Sequence, residues 1–275
     1  MEYAAHPPSP PLASSVEHLW ALRDEPHHAT ERIVPNGSLE LVINLEADEI
    51  RIVDPESGAC RRLSGAVVSG AHHRYFAFDT RAHASIIGVH FHRGAAGAVL
   101  GVPAGTLADS HVELEDLWGR TAHELREQLC EATTTARRFA ILDRVLCDRL
   151  EGRPRGPHAA TPFALAQLGR PEVRVGEVAA DVELSRRRFI EVFTADVGIT
   201  PKRFSRIVRF QRVLALARAN KPDWAALAIA AGYFDQSHLI NECRELTGMS
   251  PVELMAASEL VKTDHVAERS NTSKP

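Results

Sequence analysis

The sequence predicts an α+β protein: a small antiparallel β-sheet or cupin-like barrel followed by two helices, then an all-α domain with two helix-turn-helix units joined by a long helix. Three observations predict it. Residues 39–91 carry short β-branched and aromatic runs set between turn formers. From about residue 114 the apolar period switches from two to roughly 3.6. In the last part of the chain one helix, tight turn, helix pattern occurs twice.

The strand signals are "LELVINL" (Leu39 to Leu45), "IRIV" (Ile50 to Val53), "AVVSG" (Ala66 to Gly70), "YFAF" (Tyr75 to Phe78) and "SIIGVHF" (Ser85 to Phe91). Turn formers such as "PNGS" and "DPESG" separate them. Two amphipathic helices follow over about 114–151, with Leu114, Leu117, Trp118, Leu125 and Leu129 on one stripe and Phe139, Leu142, Val145, Leu146 and Leu150 on the next. The stretch "EGRPRGPHAATP" holds three prolines and two glycines, which disfavour helix and strand alike. The predicted division is a first domain of strands and two helices over 1–151, a linker over 152–162, a helical domain over 163–258 and a flexible tail over 259–275 that has lost apolar periodicity. With 275 residues and 44% hydrophobic side chains, each domain can fill its own core.

In the helical domain, a short helix over about Val175 to Asp181 precedes Ser185, a good N-cap that opens a second helix to about Ala195. Asp223 likewise opens a short helix to Ala231, Gly232 turns the chain, and Asp235 caps a helix to about Leu246. Both copies close alike, "GITP" and "GMSP", with a glycine past the helix end and a proline that cannot continue it. The copies stand about 51 residues apart, from Ser185 to Gln236. Between them "PKRFSRIVRFQRVLALARAN" (Pro201 to Asn220) buries Phe204, Val208, Phe210, Leu214 and Ala217 and shows Lys202, Arg203, Arg206, Arg209 and Arg212. At 1.5 Å per residue this spacer is roughly 30 Å long, near one turn of B-DNA.

The net charge of −4 is unevenly placed. Residues 1–157 hold 16 basic and 22 acidic side chains, a balance of −6, whereas 158–258 hold 13 and 11, a balance of +2. The asymmetry is mild and fits ordinary scatter of solvated surface charge as well, so where the basic side chains sit matters more than their sum. Cys60, Cys130, Cys147 and Cys243 show neither a C-x-x-C pair nor metal-ligand spacing. No apolar run approaches the roughly 18 residues of a membrane span, and "MEYAAHPPSPPLASS" lacks the basic start and apolar segment of a leader, so the expectation is a cytoplasmic protein without membrane contact.

From about Phe163 to Ala256 the chain resembles the DNA-binding domain of AraC/XylS-type bacterial transcription regulators. "VAADVELSRRRFIEVFTADVGITPKRF" is similar to the first helix-turn-helix of that family and "AIAAGYFDQSHLINECRELTGMSP" to the second. The first half resembles the sensor domain of an actinobacterial-type subgroup through "RIVPNGSLELVINL", "VSGAHHRYF" and "IIGVHFHRGAAGAVLGVP". The resemblance implies a sequence-specific regulator whose two units read successive major-groove segments while the first half senses an effector or partner. Its partners would be double-stranded DNA, a small-molecule effector, RNA polymerase and a second copy of the chain, with no cofactor.

Helical spacing puts Phe189 and Phe193 in the core, leaving Ser185, Arg186, Arg187, Ile190 and Glu191 toward DNA. Arg187 is the first choice as a base reader, because a guanidinium makes two hydrogen bonds to guanine O6 and N7. Glu191 stands where the family often has arginine. In the second unit Leu239, Cys243 and Leu246 form the buried stripe, leaving Gln236, Ser237, Ile240, Asn241 and Arg244 outward; Arg209 of the spacer completes the set. Cys243 replaces the family's usual phenylalanine, and Asn241 a common arginine. His238 reads as a helix-start residue.

His90 and His92, two apart on a strand, are expected to share a face near His72 and His73, which makes His72, His90 and His92 candidate ligand contacts. Imidazoles so placed also suit a cupin-like metal enzyme or metal sensor, the alternative reading. No G-x-S-x-G, Walker loop, H-E-x-x-H or dinucleotide fingerprint occurs, so no catalytic residue and no metal ligand is assigned and an enzyme is not expected. Glu113, Glu115 and Asp116 precede a helix, where carboxylates favour the positive end of its dipole.

Overall fold

A computed structural model of the chain describes residues 2–23, 30–54, 57–80, 84–151, 156–170, 172–219, 222–257 and 261–262. The first domain is two facing sheets. Strands β1 (Glu2–His6), β2 (Val16–Arg23), β4 (Glu40–Asn44), β7 (Ala66–Ser69), β9 (Ser85–Phe91) and β10 (His111–Glu113) make an antiparallel sheet in the order β1-β2-β9-β4-β7-β10. The second sheet contains β3 (Thr30–Ile33), β5 (Ile50–Val53), β6 (Cys60–Leu63) and β8 (Phe76–Asp79), ordered β3-β8-β5-β6, with β11 (Val261–Lys262) added in parallel to β3.

Alternation decides what each face covers. Along β4 and β9 the side chains of Leu41, Ile43, Ile87, Val89 and Phe91 join the core shared with the helices, whereas Val42 and Ile86 point the other way, onto Ile50 and Leu63 of the second sheet. The larger sheet is thus covered on both sides, which is why β4 is buried at all five positions.

The helices are more broken than the sequence suggests. After α1 (Ala96–Leu100) come α2 (Leu114–Trp118), α3 (Arg120–Glu131) and α4 (Thr135–Leu150), and the first expected helix is split at Gly119. Their expected stripes are buried or half-buried as spaced. Part of the predicted linker, residues 152–155, lies outside the described residues, and its end is already helical, since α5 spans Ala160–Leu168. Most of the predicted tail also lies outside them, yet Val261 is buried against β3 instead of fraying.

The helical domain continues with α6 (Val175–Asp181), α7 (Arg186–Val197), α8 (Pro201–Ala219), α9 (Trp224–Ala230), α10 (Gln236–Thr247) and α11 (Pro251–Ala256). Phe189, Phe193, Phe204 and Phe210 are all buried to within 1% and bring α7 and α8 together, with Phe193 packing edge-on against Phe204. A second cluster of Val213, Ala228, Ala231, Tyr233 and Leu239 joins α8, α9 and α10. Among the described residues no helix is long and apolar enough to cross a membrane.

Candidate nucleic-acid interface

Each unit opens its second helix with a side-chain cap. Ser185 Oγ accepts from the Arg188 N–H at 3.3 Å, and Asp235 Oδ1 from the His238 N–H at 2.7 Å. Because Ser185 and Asp235 hold the same capping position, the internal repeat is 50 residues (235 minus 185), and the expected match of Ser185 to Gln236 is corrected by one. In the corrected register Arg186 corresponds to Gln236, Arg187 to Ser237, Ile190 to Ile240 and Glu191 to Asn241. The glycines that close the two helices, Gly198 (φ +91°) and Gly248 (φ +73°), are both left-handed.

The structure leaves Ser185, Arg186, Arg187, Glu191, Gln236, Ser237, Asn241 and Arg244 exposed, with Ile190 and Ile240 half-buried beneath them. Phe189, Phe193, Leu239, Cys243 and Leu246 are buried opposite. Burial pushes the Cys243 thiol up to about 11. Two outward sets therefore stand at equivalent places on two capped helices, each near its helix N-terminus, where main-chain N–H groups also favour phosphate. Arg187 is not idle in the free protein. Its Nε donates to Glu191 Oε1 at 3.0 Å, and this bond holds the Glu191 carboxyl below the usual carboxylate range.

Arg209 is a correction. Rather than facing outward with the other spacer bases, it grips Glu242, donating from Nη2 to Oε2 at 2.8 Å, and its guanidinium lies 4.5 Å from the Tyr233 ring centroid. Arg206 donates to the same carboxylate at 2.8 Å and to Glu245 at 3.1 Å. Arg212 is committed as well, to the Gly169 carbonyl at 2.9 Å. Glu242 is only 4% exposed, so Arg206 and Arg209 fasten α8 to α10, and Lys202 and Arg203 remain exposed. Sequence reasoning passed over Glu242, although the 50-residue repeat places it at the site of buried Val192.

The sensor histidines do not assemble as expected. His90 is buried and His92, one residue past the end of β9, is exposed, so they share no common site. What forms instead is a polar row running across the sheet. Registers pair His18 with His90, His90 with Glu40, Glu40 with Ser69, and Ser69 with His111. His90 Nδ1 lies 2.7 Å from Glu40 Oε1, and the His18 and His90 rings stack at 5.2 Å. Burial, and then the neighbouring His90, lower the pKa of His18. His72 joins the far end of the row, its ring tilted 33° to that of His111 with centroids 4.6 Å apart.

A cleft of about 20 Å³ opens beside this row, lined by Glu40, Ser69, His72, Phe76 and the loop Ile33 to Asn36. A smaller apolar space of about 10 Å³ lies between the sheets, among Val42, Ile50, Ile52, Val67 and Ile86. Such volumes hold about one water. Among the described residues no group of three or more His, Cys, Asp or Glu side chains is placed to hold a metal ion.

The cleft's rim is also the seat of the helical domain. Gln211 Nε2 donates to the Pro35 carbonyl at 2.6 Å, and the Tyr75 N–H to the Leu246 carbonyl at 2.8 Å. Arg32 lies 5.0 Å from the Tyr75 ring centroid and reaches the Thr247 carbonyl. The end of α7 rests on the sensor domain too, with Gly198 against Ala71 and Ala104.

The fold presents two helix-turn-helix units from one helical domain, seated on a β-domain with a polar cleft. Residues 178–257 match the family described as a helix-turn-helix domain, and residues 4–113 match a domain of unknown function (DUF6597). The chain thus combines a stretch similar to helix-turn-helix domains with one similar to DUF6597 on its N-terminal side. Over 89 residues it is 26% identical to an uncharacterized HTH-type transcriptional regulator of Haemophilus influenzae, a match spanning 32% of this chain and 30% of that protein. Similar solved structures include ToxT from Vibrio cholerae (10% identity, 93% of this chain and 98% of that one, TM-score 0.43). Another is the C-terminal domain of AraT, a response regulator from Geobacillus stearothermophilus (15% identity, 42% and 89%, TM-score 0.32).

Proposed function

We propose that this chain regulates transcription by setting α7 and α10 into two successive major-groove segments of one operator, while the β-domain senses an effector. The observation that carries this reading is the repetition of a capped helix with an exposed polar first turn at an interval of 50 residues. In this reading Arg186, Arg187, Glu191, Gln236 and Asn241 meet base edges, Ile190 and Ile240 meet apolar edges, and Ser185, Ser237 and Arg244 hold phosphates. The functional division is a sensor over 1–151, a linker over 152–162, a DNA-binding domain over 163–258 and a tail beyond.

The effector is a small molecule whose polar end meets Glu40, Ser69 and His72 and whose apolar part opens the space between the sheets. The seat of the helical domain on the cleft's rim supports this coupling, because anything that displaces Ile33 to Asn36 moves the acceptor of Gln211. RNA polymerase and a second copy of the chain are the protein partners, and the cytoplasm is the compartment. The function is regulatory and not enzymatic.

Selection of binding sites from random duplexes with the purified full-length protein tests the reading. A bipartite consensus whose affinity falls steeply with salt is expected. Recovery of no sequence preference, together with stoichiometric metal lost on changing His90 and His92 to alanine, would replace this reading with a metal-binding one.

A further inference from the structure

Phe234 is 86% exposed, more than any other large hydrophobic side chain among the described residues. It directly precedes the N-cap Asp235. A hydrophobic residue in that place ordinarily packs on the fourth residue of the helix, here Leu239, and fixes the entry of the chain. Leu239 is fully buried without it, and the core beside it is filled by Tyr233, which is 3% exposed. In the first unit the matching residue, Leu184, is drawn against the core. Only the second unit turns this side chain into water.

The ring does not hang from a loose loop. The Tyr233 N–H donates to the Ala228 carbonyl at 2.8 Å, and the Phe234 N–H to His238 Nδ1 at 3.4 Å. His238 is in turn held by Asp235 and packs edge-on against Tyr233, with ring centroids 5.1 Å apart. The turn thus fixes the main chain of Phe234 at the mouth of α10, two residues ahead of Gln236.

We infer that Phe234 is a specificity-determining contact, its ring packing on the 5-methyl group of a thymine at the edge of the segment read by Gln236, Ser237 and Ile240. This rests on the regulator reading above. The thymine methyl is the apolar feature of the major-groove edge code, and phosphates and the other base edges offer an aromatic ring nothing to replace its lost hydration. Ile240, one turn further along, is the other apolar member of the same outward set. The second unit thereby reads a base through an apolar contact that the first unit, with Leu184 tucked away, does not make.

The test uses the full-length chain and a duplex selected from random DNA. Each thymine of the second segment is replaced in turn by deoxyuridine, which removes only the methyl, and affinities of the wild type and of Phe234→Ala are compared. One replacement should weaken the wild type about fourfold, the worth of one buried methyl group, and should leave Phe234→Ala unaffected. Phe234→Leu should retain part of the methyl dependence. Equal affinities of wild type and Phe234→Ala on every duplex would overturn the contact and leave the ring to a protein partner. The same fold-change in both proteins at every replacement would also overturn it. Thermal unfolding of Phe234→Ala separates a lost contact from a lost fold. If the wild-type chain selects no duplex, the regulator reading itself fails, and this contact with it.

Discussion

The main-chain N–H of Tyr75, in the β-domain, donates at 2.8 Å to the carbonyl of Leu246 in the last turn of the second reading helix. Carbonyls at a helix end have no partner within the helix, so here one domain completes a helix of the other. The same seam is tight at Gly248, where an added Cβ would stand 2.6 Å from the Tyr75 hydroxyl. Gly248→Ala should therefore cost roughly 1–2 kcal/mol for its left-handed backbone and more for the displaced ring. Hydrogen exchange should rise at residues 30–36 and 244–248 and not within α7. An unchanged exchange pattern would show that the seam is incidental.

Glu242 makes a second prediction. It is buried and bound by Arg206 and Arg209, so removing its carboxylate strips Arg209 of its acidic partner, whereas removing Arg209 leaves Arg206 alone to hold the buried charge. Glu242→Ala should destabilise the chain by about 3 kcal/mol and Arg209→Ala by less, since Arg206 still pairs with the carboxylate, both read from urea unfolding. The pair changed together to Met and Leu should recover much of the loss. Arg209→Ala should weaken DNA binding through misplacement of α10, with no change in the salt slope, whereas a phosphate contact would lower that slope by about one.

Arg187→Ala and Gln236→Ala should each cost about 1–3 kcal/mol in affinity and relax specificity in different segments of the site. Equal losses on every sequence would instead mark them as phosphate contacts. Since Glu191 holds Arg187 in the free protein, Glu191→Gln should raise affinity for all DNA by removing both a competitor for the guanidinium and a charge that repels phosphate.

The polar row predicts an acid sensitivity of the β-domain. His18 carries a pKa below its ordinary 6.5, chiefly through burial and then through His90. The folded state therefore binds fewer protons than the unfolded state below that value. This share of stability is present above pH 6.5 and is lost as pH falls through the interval down to the folded value. Glu17 and Glu40 oppose the shift, and His92 adds to it. Urea midpoints between pH 7.5 and 5.5 should fall for the wild type and fall less for His18→Gln.

The reading helices were legible in the sequence because their determinants are local. Ser185, Asp223 and Asp235 cap from side chains within three residues of the N–H groups they serve, and the stripes Phe189–Phe193 and Leu239–Cys243–Leu246 follow a single period. Strands β5 and β9 were equally plain, since Ile50, Ile52 and Val53 in one and Ile86, Ile87 and Val89 in the other give each a β-branched bias. Strand β6, "CRRL", is an exposed edge with three polar or small positions, and β1 and β2 flank a run of prolines that reads as irregular. The row His18–His90–Glu40–Ser69–His111 draws on five strands, and only their register brings it together. Arg209 was misplaced for a similar reason: its orientation answers to a carboxylate 33 residues away.

The pairing of Val261 with Arg32 and of Lys262 with Ile33 has a topological consequence. The helical domain leaves the sensor after α4 and is fastened to it again at β3, so it is a closed loop on the sensor and not a pendant on one string. A pendant that undocks gains free tumbling at once. A loop pinned at both feet gains far less configurational freedom and keeps its readers near the same side of the β-domain. Any signal that is to release the readers fully must therefore act on two anchorages, and β3, which carries Arg32 and leads into the loop lining the cleft, belongs to the second of them.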